Sequence, residues 1–246
     1  MDPAVLREDM VDSLEHEAKG FVDSDRVSIA MRTVPREAFV DEEQTAYEDR
    51  DHEHLGSRVL SPTITARLLE ALDTESGDNV LVVGAGVGYT VAVLAEITGE
   101  RNVQAVDIDR RLVLSARSNL AKAGYEGVLV DCRDGADGLP EYGPYDRVLL
   151  EAATVRPPRA LLDQLDEDGQ LVMPAGSSQQ TLVAVDRDGK VEDRFGPVLF
   201  EPLLISGEEA CAIERNRTVR EDIERAQMAQ ERQKGWEHEW IDWDGI

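Results

Sequence analysis

A chain of 246 residues, 41% of them hydrophobic, is long enough for one large α/β domain with a substantial core and short additions at either end. No apolar run approaches the roughly 20 residues that cross a bilayer. Met1-Asp2-Pro3 does not open a basic-then-apolar signal peptide, and the isolated Cys132 and Cys211 indicate neither a disulfide framework nor a cysteine metal site. The expectation is a soluble, cytoplasmic protein without a membrane partner.

The net charge is −25, and Lys19, Lys122, Lys190 and Lys234 are the only lysines. The acids are spread along the whole chain, which excludes a separate acidic arm. Such a surface repels itself in dilute buffer, and a Debye length near 3 Å at about 1 M salt screens that repulsion. The pattern suits a halophilic, salt-rich cytoplasm. It makes nucleic acid an unfavourable partner, because that binding neutralises phosphate with Lys and Arg.

In chain order, residues 5–19 carry spaced Val5, Leu6, Leu14 and Ala18 and predict an amphipathic helix; residues 24–32 predict a second, stopping ahead of Pro35. Residues 41–54 are acidic and aperiodic and read as loop. Ser61-Pro62 opens a helix to Leu72, with serine suited to the N-cap and proline to the first turn. Strands are then predicted at 80–83, 103–106, 127–130, 147–150 and 170–173, and helices at 88–97, 110–123 and 160–165. That alternation implies an α/β, Rossmann-like parallel sheet flanked by helices. Three further strands, 181–185, 190–195 and 198–204, turn at Asp188-Gly189 and imply antiparallel strands at the sheet edge. Residues 1–206 form the main domain, with a helical segment over about 1–75. Residues 207–246 form a charged helical extension, ending in a tail that holds Trp236, Trp240 and Trp243. Three tryptophans are expected to pack against something: the same domain, a second copy or a partner.

Chemistry concentrates at Val80-Leu81-Val82-Val83-Gly84-Ala85-Gly86-Val87-Gly88-Tyr89. A strand runs into a tight turn whose glycines let backbone approach a ligand. G-x-G-x-G alone is shared by several nucleotide-binding folds. About 20 residues on, a strand ends at Asp107, placed to accept both hydroxyls of a ribose, and after the next strand Asp134 could hold an adenine amino group. All three lie at carboxyl ends of strands, where open α/β sheets bind ligands. Cys132, beside Asp134, reads as buried filler rather than a pocket residue. His52 and His54 have no third ligand near in sequence, so no metal site is expected.

Several words of this sequence resemble the protein-L-isoaspartate O-methyltransferase family over nearly all of residues 20–204. They include Asp25-Arg26-Val27, Val34-Pro35-Arg36-Glu37-Ala38-Phe39-Val40 and Ala46-Tyr47-Glu48-Asp49-Arg50. Gly84-x-Gly86-x-Gly88-Tyr89 with Ala92-Val93-Leu94-Ala95, Asn119-Leu120, Pro144-Tyr145-Asp146-Arg147, Ala152-Ala153 and Pro174-x-Gly176 continue in register. The resemblance implies a class I methyltransferase sheet and S-adenosylmethionine as cofactor. It implies cofactor contacts from Gly84, Ala85, Gly86, Gly88, Asp107, Ile108, Asp134 and Gly135, and isoaspartyl proteins or peptides as substrates.

Two departures stand out. The family usually has an acid two residues before the first loop glycine, where this chain has Val82. The family's substrate-side serine meets Val59-Leu60-Ser61-Pro62, one residue short: either Leu60 takes its place or Ser61 keeps the catalytic role, the alternative for Ser61 being a plain helix cap. The leading expectation is isoaspartyl carboxyl methylation for protein repair. Its rivals are a changed substrate (RNA or a small molecule) on the same fold, and a cofactor-binding interaction protein without catalysis.

Overall fold

The computed structural model describes residues 2–16 and 18–204. Helix α1 (Pro3–Glu15) opens with Asp2 accepting from Ala4 N at 3.0 Å, and α2 (Asp25–Thr33) opens on the Ser24 cap. Helix α1 is shorter than periodicity suggests: the chain turns back at His16, whose carbonyl accepts from Lys19 and Gly20 N–H. Residues 41–54 are not all loop, because β1 (His52–His54) pairs antiparallel with β2 (Ser57–Val59). That charged hairpin lacks the apolar alternation by which strands are recognised. Helix α3 (Pro62–Leu72) follows.

The sheet elements are β3 (Val80–Val83), α4 (Tyr89–Thr98), β4 (Val103–Asp107), α5 (Arg110–Ala123), β5 (Leu129–Cys132), β6 (Tyr145–Leu150), α6 (Arg159–Leu162), β7 (Leu165–Gly176), β8 (Gln180–Val185) and β9 (Val191–Val198). Strand order is β5-β4-β3-β6-β7-β8-β9, parallel from β5 to β7 and antiparallel for β8 and β9. The mostly parallel sheet with an antiparallel edge thus matches the expectation. Helix α6 is shorter than expected because Leu165 already pairs with Tyr145 in the sheet. The third antiparallel strand expected over 198–204 is absent. Pro202 has no N–H to give, Phe200 bonds to the Gln180 side chain, and Leu203 N–H turns to the Ala153 carbonyl at 2.8 Å.

Alternate residues of β3 feed opposite faces of the sheet. Val80 and Val82 join the core that contains α1 to α5, while Leu81 and Val83 pack with Leu139, Tyr145, Leu161 and Leu162. Cys132 is exposed, contrary to expectation, because it ends the edge strand β5. The acidic extension and tryptophan-rich tail lie outside the described residues.

Candidate active site

Strand order reverses at β3: β4 and β5 lie to one side and β6 to the other. At this switch point the loop after β3 leaves the sheet, the place where α/β folds open a crevice. Gly84, Gly86 and Gly88 take φ of 95°, 52° and 93°, a region open to glycine at little cost. Close packing adds a second constraint at Gly88, where a Cβ would stand 3.3 Å from Leu120 Cγ. Gly86 faces open space, with nothing within 4 Å of where a Cβ would be. Gly84 and Ala85 donate to the Val106 carbonyl at 2.9 and 3.0 Å, and Asn119 Nδ2 holds the Val87 carbonyl at 3.1 Å. The loop is therefore fixed from β4 and α5.

Asp107 ends β4 with only 8% of its surface exposed. Gly86 N–H donates to its Oδ2 and Asp109 N–H to its Oδ1, both at 2.9 Å. A carboxylate oxygen can accept more than one donor, so Asp107 keeps capacity toward the crevice. Burial pushes its carboxyl pKa up, opposed by the Asp109 and Gly86 N–H donors. Ile108 follows it, its carbonyl 3.9 Å from Cys132 Sγ. Asp134 follows β5 and accepts from Ala136 N at 2.9 Å. Gly135 is buried, and a Cβ there would lie 2.4 Å from Val83 Cγ1. The structure thus brings Gly84, Ala85, Gly86, Gly88, Asp107, Ile108, Asp134 and Gly135 to the carboxyl ends of three neighbouring strands.

On the other side of the loop is a pocket with about 260 Å³ of space free of atoms, part of it open to solvent. Arg58, Leu60, Thr65, Gly86, Thr90 and Glu151 are among its lining. Leu60 lines this pocket. Ser61 caps α3, its Oγ accepting from Ile64 N at 3.4 Å while its own N–H donates to Asp51 Oδ1 at 2.8 Å. The catalytic role expected for Ser61 therefore competes with a capping duty.

Sequence reasoning missed Arg36 and Glu151. Arg36 is fully buried, donates to the carbonyls of Ala46 at 2.7 Å and Leu60 at 2.6 Å, and lies 4.5 Å from the centroid of the Tyr89 ring. It ties two N-terminal words of the sequence to the rim of the pocket. Glu151 directly follows β6, and its Oε1 is buried without a hydrogen-bond partner. Burial pushes its carboxyl up to about 7, against the Thr90 hydroxyl and the charge of Arg58. The available signal was an acid closing the apolar run Val148-Leu149-Leu150, in the same way as Asp107 closes its own strand. His54 is engaged by Asp41 and Ser115, each at 2.9 Å, and no group able to hold a metal occurs among the described residues.

These features fit S-adenosylmethionine: a glycine loop open at Gly86, a buried acid with spare acceptor capacity at Asp107, and a buried carboxylate oxygen without a donor, Oε1 of Glu151. The family model described as protein-L-isoaspartate (D-aspartate) O-methyltransferase matches residues 6–207. A protein-L-isoaspartate O-methyltransferase of Aeropyrum pernix is 42% identical over 207 residues, covering 79% of this chain and 78% of the relative. The Methanosarcina mazei protein of the same name is 38% identical, covering 81% and 83%. Among solved structures, a protein-L-isoaspartate O-methyltransferase superposes with TM-score 0.70 at 26% identity over 80% of this chain and 65% of its own. A Plasmodium falciparum structure in complex with S-adenosyl-L-homocysteine shares the fold, with TM-score 0.72 at 22% identity over 80% and 98%. The chain belongs to the protein-L-isoaspartate (D-aspartate) O-methyltransferase family of S-adenosylmethionine-dependent carboxyl methyltransferases.

Proposed function

We propose that this chain methylates the free carboxylate of L-isoaspartyl residues in damaged proteins, through the site assembled around Gly86 and Asp107. The observation that carries the proposal is the order of glycine loop, Asp107 and Asp134 on adjacent strands, beside a pocket lined by Leu60. When bound, S-adenosylmethionine supplies an electrophilic methyl on a sulfonium. Asp107 would hold the ribose hydroxyls, Asp134 and Gly135 the adenine, and the backbone of Gly84, Ala85, Gly86 and Gly88 would line the rest of the cofactor. The isoaspartyl carboxylate is already ionised near neutral pH and needs no strong general base. The protein's task is to hold that carboxylate in line with the methyl and exclude water, and such positioning can supply much of the rate. The segment 1–75 supplies the substrate side, where Arg36 fixes Leu60 and with it the entry to α3.

The enzyme acts in the cytoplasm, and self-association through the C-terminal tail belongs to the same proposal. No described helix is long and apolar enough to cross a membrane. The test is labelled methyl transfer to an isoaspartyl peptide, its ordinary aspartyl isomer and tRNA. Label in the isoaspartyl peptide alone is expected. Label in tRNA instead, or cofactor binding with no acceptor labelled, would overturn the proposal.

A further inference from the structure

Val82 lies on β3, and Glu151 directly follows the neighbouring strand β6. In the β3–β6 register Val82 lies opposite Leu149, so Glu151, two residues on, falls beside Gly84. The ladder continues to this point, with Glu151 N–H donating to the Val83 carbonyl at 2.8 Å. A Cβ on Gly84 would lie 3.4 Å from Glu151 Cβ, so the base of the acid's side chain packs beside the start of the loop. Its side chain lines the pocket shared with Ala85 and Gly86. Val82 itself is fully buried among apolar neighbours.

An orphaned acceptor buried in a pocket calls for a donor. Arg58 lines the same pocket, but its guanidinium donates to the Leu199 carbonyl at 2.6 Å, pairs with Asp51 and covers the Phe200 ring. Nothing among the described residues supplies a donor to Glu151 Oε1. The cofactor carries two cationic groups, and only one has N–H donors: the sulfonium has none, whereas the α-ammonium has three. Resting on the cofactor assignment above, we infer that Glu151 binds the α-ammonium of S-adenosylmethionine, supplying from the end of β6 the acid that β3 lacks at Val82. Glu151 is thus a cofactor-binding residue that anchors the amino-acid end of the ligand. Asp107, which holds the Gly86 N–H, would take the ribose.

The test is calorimetric and needs no turnover. Wild type and Glu151→Gln are titrated at pH 8 with S-adenosylhomocysteine, S-adenosylmethionine and 5′-methylthioadenosine, the last lacking the amino-acid end. Glu151→Gln is expected to weaken both amino-acid-bearing ligands at least tenfold and leave 5′-methylthioadenosine within twofold. Glu151→Thr should reproduce this pattern, and thermal melts of both variants establish that they fold. Equal losses for all three ligands would mark a structural role. Unchanged affinities, or loss for S-adenosylmethionine alone, would also overturn the inference, the latter by pointing to the sulfonium. Wild type binding none of the three would instead remove the cofactor assignment itself, and this inference with it.

Discussion

The Arg36 guanidinium donates to the Leu60 carbonyl 24 residues away, at 2.6 Å, from a position with no solvent exposure. It donates at the same time to Ala46 and lies over the Tyr89 ring, the first residue of α4. One side chain therefore sets the distance between the N-terminal segment, the pocket wall and the helix that follows the glycine loop. Burial lowers its pKa, with Tyr89 acting in the opposite direction. An arginine is still charged at neutral pH.

Replacing Arg36 with methionine should orphan two buried carbonyls, each costing about 1–3 kcal/mol. Urea denaturation should show a loss on the order of 2–5 kcal/mol. Turnover should fall more than affinity for S-adenosylhomocysteine, because Leu60 loses its anchor while Asp107 does not. A stability change under about 0.5 kcal/mol, the range of an ordinary surface substitution, would show that Arg36 holds nothing together.

Asp107→Ala removes the acceptor for the Gly86 and Asp109 N–H groups and, in the function proposed above, for the ribose. Hydrogen bonds to a charged group contribute about 1.5–3 kcal/mol each, so losing the ribose contacts should weaken S-adenosylhomocysteine about 100-fold or more. Asp107→Asn retains one carbonyl oxygen and should fall between wild type and alanine. Calorimetry that finds the alanine variant within threefold of wild type would remove Asp107 from the site.

Much of this is legible in the sequence. The apolar run 80–83 and the mostly apolar stretches 103–106 and 148–150 are buried in a parallel sheet, and such strands announce themselves by composition. Asp107 is legible because it ends such a run, and Asp134 because it follows the next strand. Glu151 ends one too, but its importance depends on two things that exist only in three dimensions: its register beside Gly84 and the lack of a donor at Oε1. The hairpin at 52–59 was hidden for the opposite reason. His52, Glu53, His54 and Arg58 carry polarity, and their pairing rests on backbone hydrogen bonds, not on an apolar face. Cys132 departs from the usual burial of cysteine because it ends an edge strand, a position that strand order alone reveals.

Glu151 should also leave a signature in stability against pH. Its carboxyl ionises at about 7 in the folded protein, against an ordinary value of 4.5. Between those values the native state holds a proton that the unfolded chain has released, so this contribution is fully present below 4.5 and is lost as pH rises through 7. The loss is on the order of 3 kcal/mol. Without ligand, Glu151→Gln should therefore be more stable than wild type at pH 8 and nearly equal to it at pH 4.5. Denaturation curves with the same difference at both pH values would contradict the origin of this effect in ionisation.

The acidic surface leads to an expectation about salt. With 51 acidic against 26 basic side chains, the native state repels itself at low ionic strength, and molar potassium chloride shortens the screening length to about 3 Å. The melting temperature should rise steeply from dilute buffer to molar salt. A melting temperature flat across that range would remove halophilic adaptation as the explanation of the charge.

Ser61 has two duties that one substitution can separate. As the N-cap of α3 its oxygen accepts the Ile64 N–H, and its own N–H is fixed by Asp51. Losing a capping hydroxyl costs about 1 kcal/mol, so Ser61→Ala should shift the denaturation midpoint by that amount whatever else the residue does. If the hydroxyl also steadies the isoaspartyl carboxylate, turnover on an isoaspartyl peptide should drop tenfold or more, each factor of ten being about 1.4 kcal/mol. S-adenosylhomocysteine affinity should stay within twofold in either case, since Leu60, and not Ser61, lines the pocket beside the glycine loop. Ser61→Asp and Ser61→Thr are capping residues of different shape, and they sharpen the distinction. Both should restore stability. Only threonine, which keeps a hydroxyl and adds no negative charge against the incoming carboxylate, should restore turnover. Full turnover in both the alanine and aspartate variants would assign Ser61 to the cap alone and leave Leu60 as the residue that shapes the substrate side.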